Sequence, residues 1–508
     1  MAVHNKIVII GAGVAGLSAG IYAQMNGFDT TIYEMHSLPG GLCTSWRRRG
    51  YTFDGAVRYL AGVNPKTKGY QLWEELGILK DTPIHFYEEF VAIEGRDGRT
   101  LHLYTDVDRL EKHLLVLAPQ DKRTIAEFVE GIRDFTRMEL PVDLTAEDMV
   151  ELAEMGKDML PVLMPTLRWR AKTLMEYADK FSDPLLREGL QHFFQFAPTD
   201  FPMMLCLSTL AMMNDQEAGY PMGGSLPLAK GLASRFEDLG GRIVYRTRVK
   251  DVLVENDRAV GVVLADGRVD RADIVISASD GRATIFELLG GKYLDEKIRH
   301  TYNDGMIPCK SILQVSLGVA MDFSDLPPMI NIPLDQPVWL GNIRHDRMVL
   351  KHYCFDPQMA PKGKSSLSLW FEADPDYWQW LYTDDDRYED HKEEVAEIVI
   401  DALEKRFPGL RDAVEVVDVA TPVTYQRYTG NWRGAFAGWA FTTRKMTMMM
   451  GKGMDKTLPR LDNFYMIGQW VEPGGNVELS CASGRDVIKD ICHDMDEMFI
   501  PEEKEFNK

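Results

Sequence analysis

A short β-branched run, Lys6–Ile10 (KIVII), leads straight into Gly11-Ala12-Gly13-Val14-Ala15-Gly16, and this junction constrains the fold more than any other stretch. Such a run suits a strand buried on both faces. The three glycines have separate uses: a tight turn, close approach of backbone to a pyrophosphate, and close packing of the next helix on the strand. A helix over 14–25 then aims the positive end of its dipole at the phosphates. Gly27 ends it before a second strand over 28–33. Glu34 follows that strand, near the spacing at which an acid holds a ribose hydroxyl. A ligand-free turn accounts for the glycines but leaves the acid unexplained, so the segment reads as a dinucleotide site in an α/β fold.

At 508 residues the chain exceeds one ordinary core, and two domains are expected. Its net charge of −20 argues against a nucleic-acid partner, which needs a basic footprint. No apolar run approaches the ~18 residues that span a bilayer. The N-terminal apolar run belongs to the first strand rather than to a signal peptide. Six cysteines (43, 206, 309, 354, 481 and 492) are scattered without a CxxC pair, so neither a disulfide framework nor zinc is expected, and a reducing, cytoplasmic location follows. The 11 histidines show no HExxH spacing, and no metal is expected. Methionine is abundant, 27 in all, with clusters at Met203-Met204, Met212-Met213 and 446–454. These suit either an adaptable apolar wall or ordinary core.

The nucleotide-type pattern recurs. Pro39-Gly40-Gly41-Leu42-Cys43-Thr44 comes just after the second strand, and Tyr51-Thr52-Phe53-Asp54-Gly55 shortly after that. A middle block runs Tyr220-Pro221-Met222-Gly223-Gly224-Ser225, a helix over 226–239, Gly240-Gly241, a strand from Arg242, a β-meander over 249–254 and 259–264, and a buried strand at Ile274–Ser277. A third block has a strand over 463–470, the turn Glu472-Pro473-Gly474-Gly475-Asn476-Val477, and a helix from Glu478 to Cys492. Backbone N–H groups at such a helix start stabilise negative charge.

Together these blocks resemble the flavoprotein superfamily that holds amine oxidases, phytoene desaturases, carotenoid isomerases and retinol saturases, over nearly the full length. The Pro-Gly-Gly step selects FAD over NAD in that comparison, and Tyr-Pro-x-Gly-Gly-Ser with its meander points to the phytoene desaturase group. This chain has Asn476 where many relatives carry a third glycine. The resemblance implies an α/β fold: a discontinuous Rossmann-like FAD-binding domain with a β-meander (1–69, 216–300 and 455–497), an α+β substrate domain (70–215 and 301–454), and a tail (498–508). Within it, FAD would meet Gly11, Gly13, Val14, Ala15, Gly16, Glu34 and Met35, then Gly40, Gly41, Leu42, Thr44 and Tyr59. Val249 and Ser277 would lie along it, and Gly468, Gly475, Asn476 and Val477 would close the site.

A flavin exchanges hydride while the protein orients and polarises. The resemblance implies desaturation, saturation or isomerisation of C–C bonds in a lipophilic polyene or isoprenoid-like substrate. Tyr425, Arg427, Arg444 (with Lys445 beside it) and Glu478 are polar groups near family-like motifs and stand as catalytic candidates. Cys43 and Cys481 lie outside any cysteinyl-flavin motif and read as packed thiols. The basic, apolar stretch over 160–175, with Arg168, Trp169, Arg170 and Lys172, suits either a peripheral membrane contact or a helix with a solvated face. The alternatives are a flavin amine or amino-acid oxidase, and a redox-neutral FAD-dependent isomerase or hydratase of unsaturated fatty acids. Oligomeric state is not legible.

Overall fold

Parallel pairing gathers three distant parts of the chain into one sheet. In the computed structural model, which describes residues 5–137, 160–384, 386–443, 454–472 and 475–502, five strands lie in the order Arg242–Val244, Asp29–Tyr33, Lys6–Ile10, Ile274–Ser277 and Phe464–Met466. Val8 sits between Thr31 and Val275, and Val275 in turn pairs with Phe464. Side chains alternate across this sheet. Ile7, Ile9 and Ile276 pack with Leu17, Leu232 and Val487, from the helices Val14–Met25, Ser225–Asp238 and Val477–Asp494. Val8, Ile10 and Val275 face the other way, onto Val252, Val262 and Leu264 of the meander Val249–Glu255, Arg258–Leu264 and Val269–Arg271. Both faces are covered, as parallel sheets require. Asn256 and Asp257, at φ 51° and 60°, make the two-residue turn that suits the twist of its first hairpin.

Gly16 acts in packing. A Cβ there would lie 2.1 Å from the Gly11 carbonyl oxygen, so only glycine lets the helix start seat on the strand. A buried ion pair fastens the C-terminal helix: Arg485 Nε lies 2.6 Å from Glu75 Oε2, which also accepts the Tyr22 hydroxyl at 2.7 Å.

The second half centres on a mixed sheet of seven strands among the described residues. Their order is Val414–Ala420, Ser311–Val319, Ser365–Ala373, Ile343–His352, Met329–Leu340, Glu89–Glu94 and Thr100–Tyr104. The helix Tyr388–Arg406 covers one face through Val395, Val399, Ile400 and Leu403. Residues 70–215 supply two of these strands. Glu89–Glu94 pairs in parallel with Met329–Leu340, a partner no local pattern identifies. Of the methionines, Met203, Met204 and Met213 are buried in the core beside this sheet, in the helix Met203–Asn214.

The basic stretch over 160–175 is not one helix. A first helix, Leu160–Trp169, ends before Thr173, which caps Leu174–Ala178 reciprocally with Glu176. Trp169 is buried, and Arg168 and Lys172 pair with Asp134 and Glu127. Among the described side chains of this stretch, Met164 and Leu167 are the large apolar ones left exposed. Among the described residues no helix is long and apolar enough to cross a membrane.

Candidate functional site

One cavity of about 530 Å³ runs between the two halves. Its first end is made of backbone. Gly13 caps the helix Val14–Met25 in an extended conformation, with no side chain satisfying the first-turn N–H groups. A Cβ on Gly13 would meet nothing within 4 Å, so its bareness leaves room in the cavity rather than relieving packing. The second glycine turn is tied to the first, since Gly40 N–H donates to the Ala12 carbonyl at 2.8 Å. Asn476 likewise begins the helix Val477–Asp494 without a side-chain cap, so two helix starts open on the same space. Glu34 fronts it too, accepting from Ala12 N–H at 2.8 Å and His36 N–H at 2.7 Å. Burial holds its carboxyl above the usual carboxylate range against the pull of those two donors.

Uncapped N–H groups, a bare glycine and an acid one strand away fit FAD. The start of Val14–Met25 would hold the pyrophosphate, Glu34 a ribose, and Gly475, Asn476 and Val477 the ring. Bound FAD supplies a two-electron acceptor or donor.

Of the residues expected at the cofactor, Gly11, Gly13, Val14, Ala15, Glu34, Met35, Gly40, Gly41 and Leu42 line the cavity, as do Tyr59, Val249, Gly468, Gly475, Asn476 and Val477. Three stand behind it. Gly16 serves helix packing, the Thr44 carbonyl accepts Gly55 N–H at 3.0 Å, and the Ser277 hydroxyl is shared with Thr284 at 2.7 Å. The catalytic candidates divide. Glu478 lines the cavity, and burial pushes its carboxyl up to about 7 against hydrogen bonds from the backbone and Asn476. Tyr425 does not reach it: the hydroxyl is buried and donates to Gln314 Oε1 at 2.7 Å. Arg427 borders a separate, smaller pocket and lies against the Tyr428 ring. Arg444 and Lys445 lie outside the described residues. Cys43 and Cys481 are buried thiols whose ionisation burial opposes.

The other end of the cavity is made of side chains. Phe194, Phe196, Phe201, Leu205, Met212 and Trp370 give it an apolar wall, with Phe436 set edge-on to Trp370 at 5.2 Å. Four cations also line the cavity, Arg58, Arg248, Lys310 and Lys351, and the sequence reading missed all of them; Arg248 is exposed and Lys310 pairs with Glu372, which leaves Arg58 and Lys351. Arg58 follows the Tyr-Thr-Phe-Asp-Gly motif directly enough to have been noticed. Lys351 sits in the strand Ile343–His352, and only the register with Ser365–Ala373, Lys351 opposite Ser368, puts it beside the cavity. Asp280 was missed as well. It accepts N–H groups from Ala283 at 2.7 Å and Trp432 at 2.8 Å, and burial pushes it up to about 6.

Known proteins carry the same plan. Residues 14–492 match the profile of the flavin containing amine oxidoreductase family. The chain is 26% identical over 498 residues to the chloroplastic prolycopene isomerase of Daucus carota, covering 94% of this chain and 78% of that one. It is 25% identical over 522 residues to the lycopene-forming phytoene desaturase of Pseudescherichia vulneris, covering 95% and 98%. Among solved structures, an oxidoreductase from Methanosarcina mazei superposes with a TM-score of 0.61 at 17% identity, over 95% of this chain and 100% of that one. A putrescine oxidase variant gives 0.62 at 13% identity, over 97% and 99%. The backbone cradle is thus an FAD site, and the chain belongs to the flavin containing amine oxidoreductase family.

Proposed function

We propose that this flavoenzyme acts on C–C bonds of a long, apolar, unsaturated substrate, by desaturation, saturation or isomerisation. One observation carries the reading: the cofactor cradle opens, within one cavity, onto a chamber walled by Phe194, Phe196, Phe201, Leu205, Met212 and Trp370. Such walls offer area and dispersion to a hydrocarbon chain and few hydrogen bonds to a polar one. The printed names of the relatives, a prolycopene isomerase and a phytoene desaturase, support it. Glu478 is the group we assign to carry a proton, because it fronts the cavity and holds its proton near neutrality.

Amine oxidation fits less well. A protonated amine entering this cavity would face Arg58 and Lys351, and like charges at low dielectric repel strongly. The test is anaerobic mixing of the FAD-loaded protein with prolycopene, phytoene and, separately, putrescine. Loss of the oxidised flavin absorbance with phytoene marks dehydrogenation; a changed prolycopene isomer without net bleaching marks isomerisation. Bleaching by putrescine alone would sink the reading.

A further inference from the structure

We propose that Arg58 and Lys351 form a receptor for a carboxylate, so that the unsaturated substrate of this chain ends in an acid. The proposal rests on the apolar-chamber reading and narrows its substrate class.

The Arg58 guanidinium lies over the Phe90 ring, 4.3 Å from its centroid. Its Nε is buried without a hydrogen-bond partner, and among the described residues no carboxylate pairs with it. The Lys351 ammonium donates to the Val57 carbonyl at 3.2 Å, one residue from Arg58. The rings of Tyr353 and Tyr220 flank it at 4.7 and 5.2 Å. It too lacks an ion pair among the described residues. Both side chains front the cavity. A cation withdrawn from water without a counter-charge is costly, and such groups are normally paired.

Asp54 is the carboxylate whose charge acts on Lys351, but its oxygens are engaged elsewhere. Oδ1 accepts from Ala56 N–H at 3.0 Å and the Ser225 hydroxyl at 2.6 Å; Oδ2 accepts from Ser225 N–H at 2.8 Å and the Tyr220 hydroxyl at 3.1 Å. Two cations against one occupied anion leave one positive charge to match. A single carboxylate supplies that charge and takes up the unused guanidinium and ammonium donors. The surrounding wall is apolar, so a chain with one charged end has a place for each part. A hydrocarbon would leave that charge unmatched.

Ionisation gives a signature. Burial pushes Lys351 down to about 7, with Asp54 raising it and Arg58 lowering it. Arg58 is pushed down to about 10, with Tyr59 and Tyr87 raising it, and stays charged at neutral pH. A bound carboxylate favours the ammonium form, so acid binding takes up a proton and weakens as pH rises above about 7. Glu478, coupled to the same corner through Tyr59, ionises in the same range and works in the same direction, so the Lys351→Arg variant is needed to isolate the lysine.

The experiment is equilibrium titration of the FAD-loaded protein, without turnover, with linoleic acid, farnesoic acid and their methyl esters. At least one acid binds at least about tenfold tighter than its ester at pH 6.5, and the tighter acid tells a fatty from an isoprenoid chain. In Arg58→Met/Lys351→Met, still yellow with FAD, the ratio falls to near one. Lys351→Arg keeps the preference and shifts its loss to higher pH. Equal binding of acid and ester by the unaltered protein overturns the proposal and leaves the chamber reading intact. A preference that survives the double substitution, or acid and ester affinities falling together in it, also overturns the proposal, the latter by assigning the cations to the cofactor. Failure of every acid and ester to bind removes the chamber reading itself.

Discussion

The two ends of the cavity are built by different means. The cofactor end is backbone: uncapped helix starts at Gly13 and Asn476, and a second glycine turn tied on by Gly40. The substrate end is side chain, projected from the 58, 194–212 and 349–370 regions onto a shared space. A backbone site is specified by where the chain turns and how closely helices approach, so few sequences satisfy it. A side-chain site can be rewritten residue by residue on the same sheet, which is how one fold serves unrelated substrates.

The largest effect that sharpens this contrast belongs to the cofactor end. Arg485→Ala leaves the buried Glu75 carboxylate without its counter-charge, with the Tyr22 hydroxyl still donating to it. A cost of about 3–5 kcal/mol in unfolding free energy is expected, measured by denaturant titration of the FAD-loaded protein. A cost below about 1 kcal/mol would mean that water reaches the pair.

Two neighbouring methionines divide core from chamber. Met213 is buried, and Met213→Ala is expected to cost about 2–5 kcal/mol. Met212 fronts the cavity. Met212→Ala therefore costs less stability and shows instead as weaker binding of long-chain ligands. Equal stability losses would erase the distinction between wall and core at that helix.

Two glycines divide packing from ligand space in the same way. Gly16→Ala drives a Cβ into the Gly11 carbonyl and is expected to destabilise by about 1–3 kcal/mol. Gly13→Val meets no protein atom at Cβ, so the protein stays folded while its side chain occupies the pyrophosphate position. A folded, colourless protein is the expected result, read by circular dichroism and flavin absorbance. A yellow Gly13→Val variant would break the assignment of that turn.

The same contrast explains what could be read in the sequence. Strand, glycine turn and helix are local signals, so the parallel sheet, the meander and most of the cradle were legible. The substrate half depends on pairings between distant segments. Glu89–Glu94 and Thr100–Tyr104 are short and partly charged, and they make sense only beside Met329–Leu340. Lys351 reads as a surface residue until register sets it beneath Val57. Whether the basic stretch around Trp169 is a membrane contact or a solvated helix face was left open by its local pattern; Arg168 and Lys172 pair with Asp134 and Glu127, and the Trp169 ring turns inward. Tyr425 sat in a family-like motif, yet Gln314 holds its hydroxyl in the core.

The smallest effect lies where the two ends meet. Glu478 begins the second helix of the cradle and faces the cavity, with its carboxyl pushed by burial from an ordinary value of 4.5 up to about 7. Between these values the unfolded chain has released a proton that the folded chain still holds, so this group's contribution is complete below about 4.5 and declines as pH rises through about 7. Glu472, also pushed up to about 7, and Asp280, up to about 6, act with the same sign, so the slope of the unaltered protein alone does not identify the group. The difference between it and Glu478→Gln does, because only the Glu478 contribution is removed. That difference is expected to change through the pH 4.5–7 window and to level off on either side. Its size is modest, since the side chain is half-buried and the cavity screens its charge. A difference that stays flat across the window would show Glu478 ionised in the folded protein at neutral pH, and a carboxylate already stripped of its proton is no donor for the chemistry assigned to it.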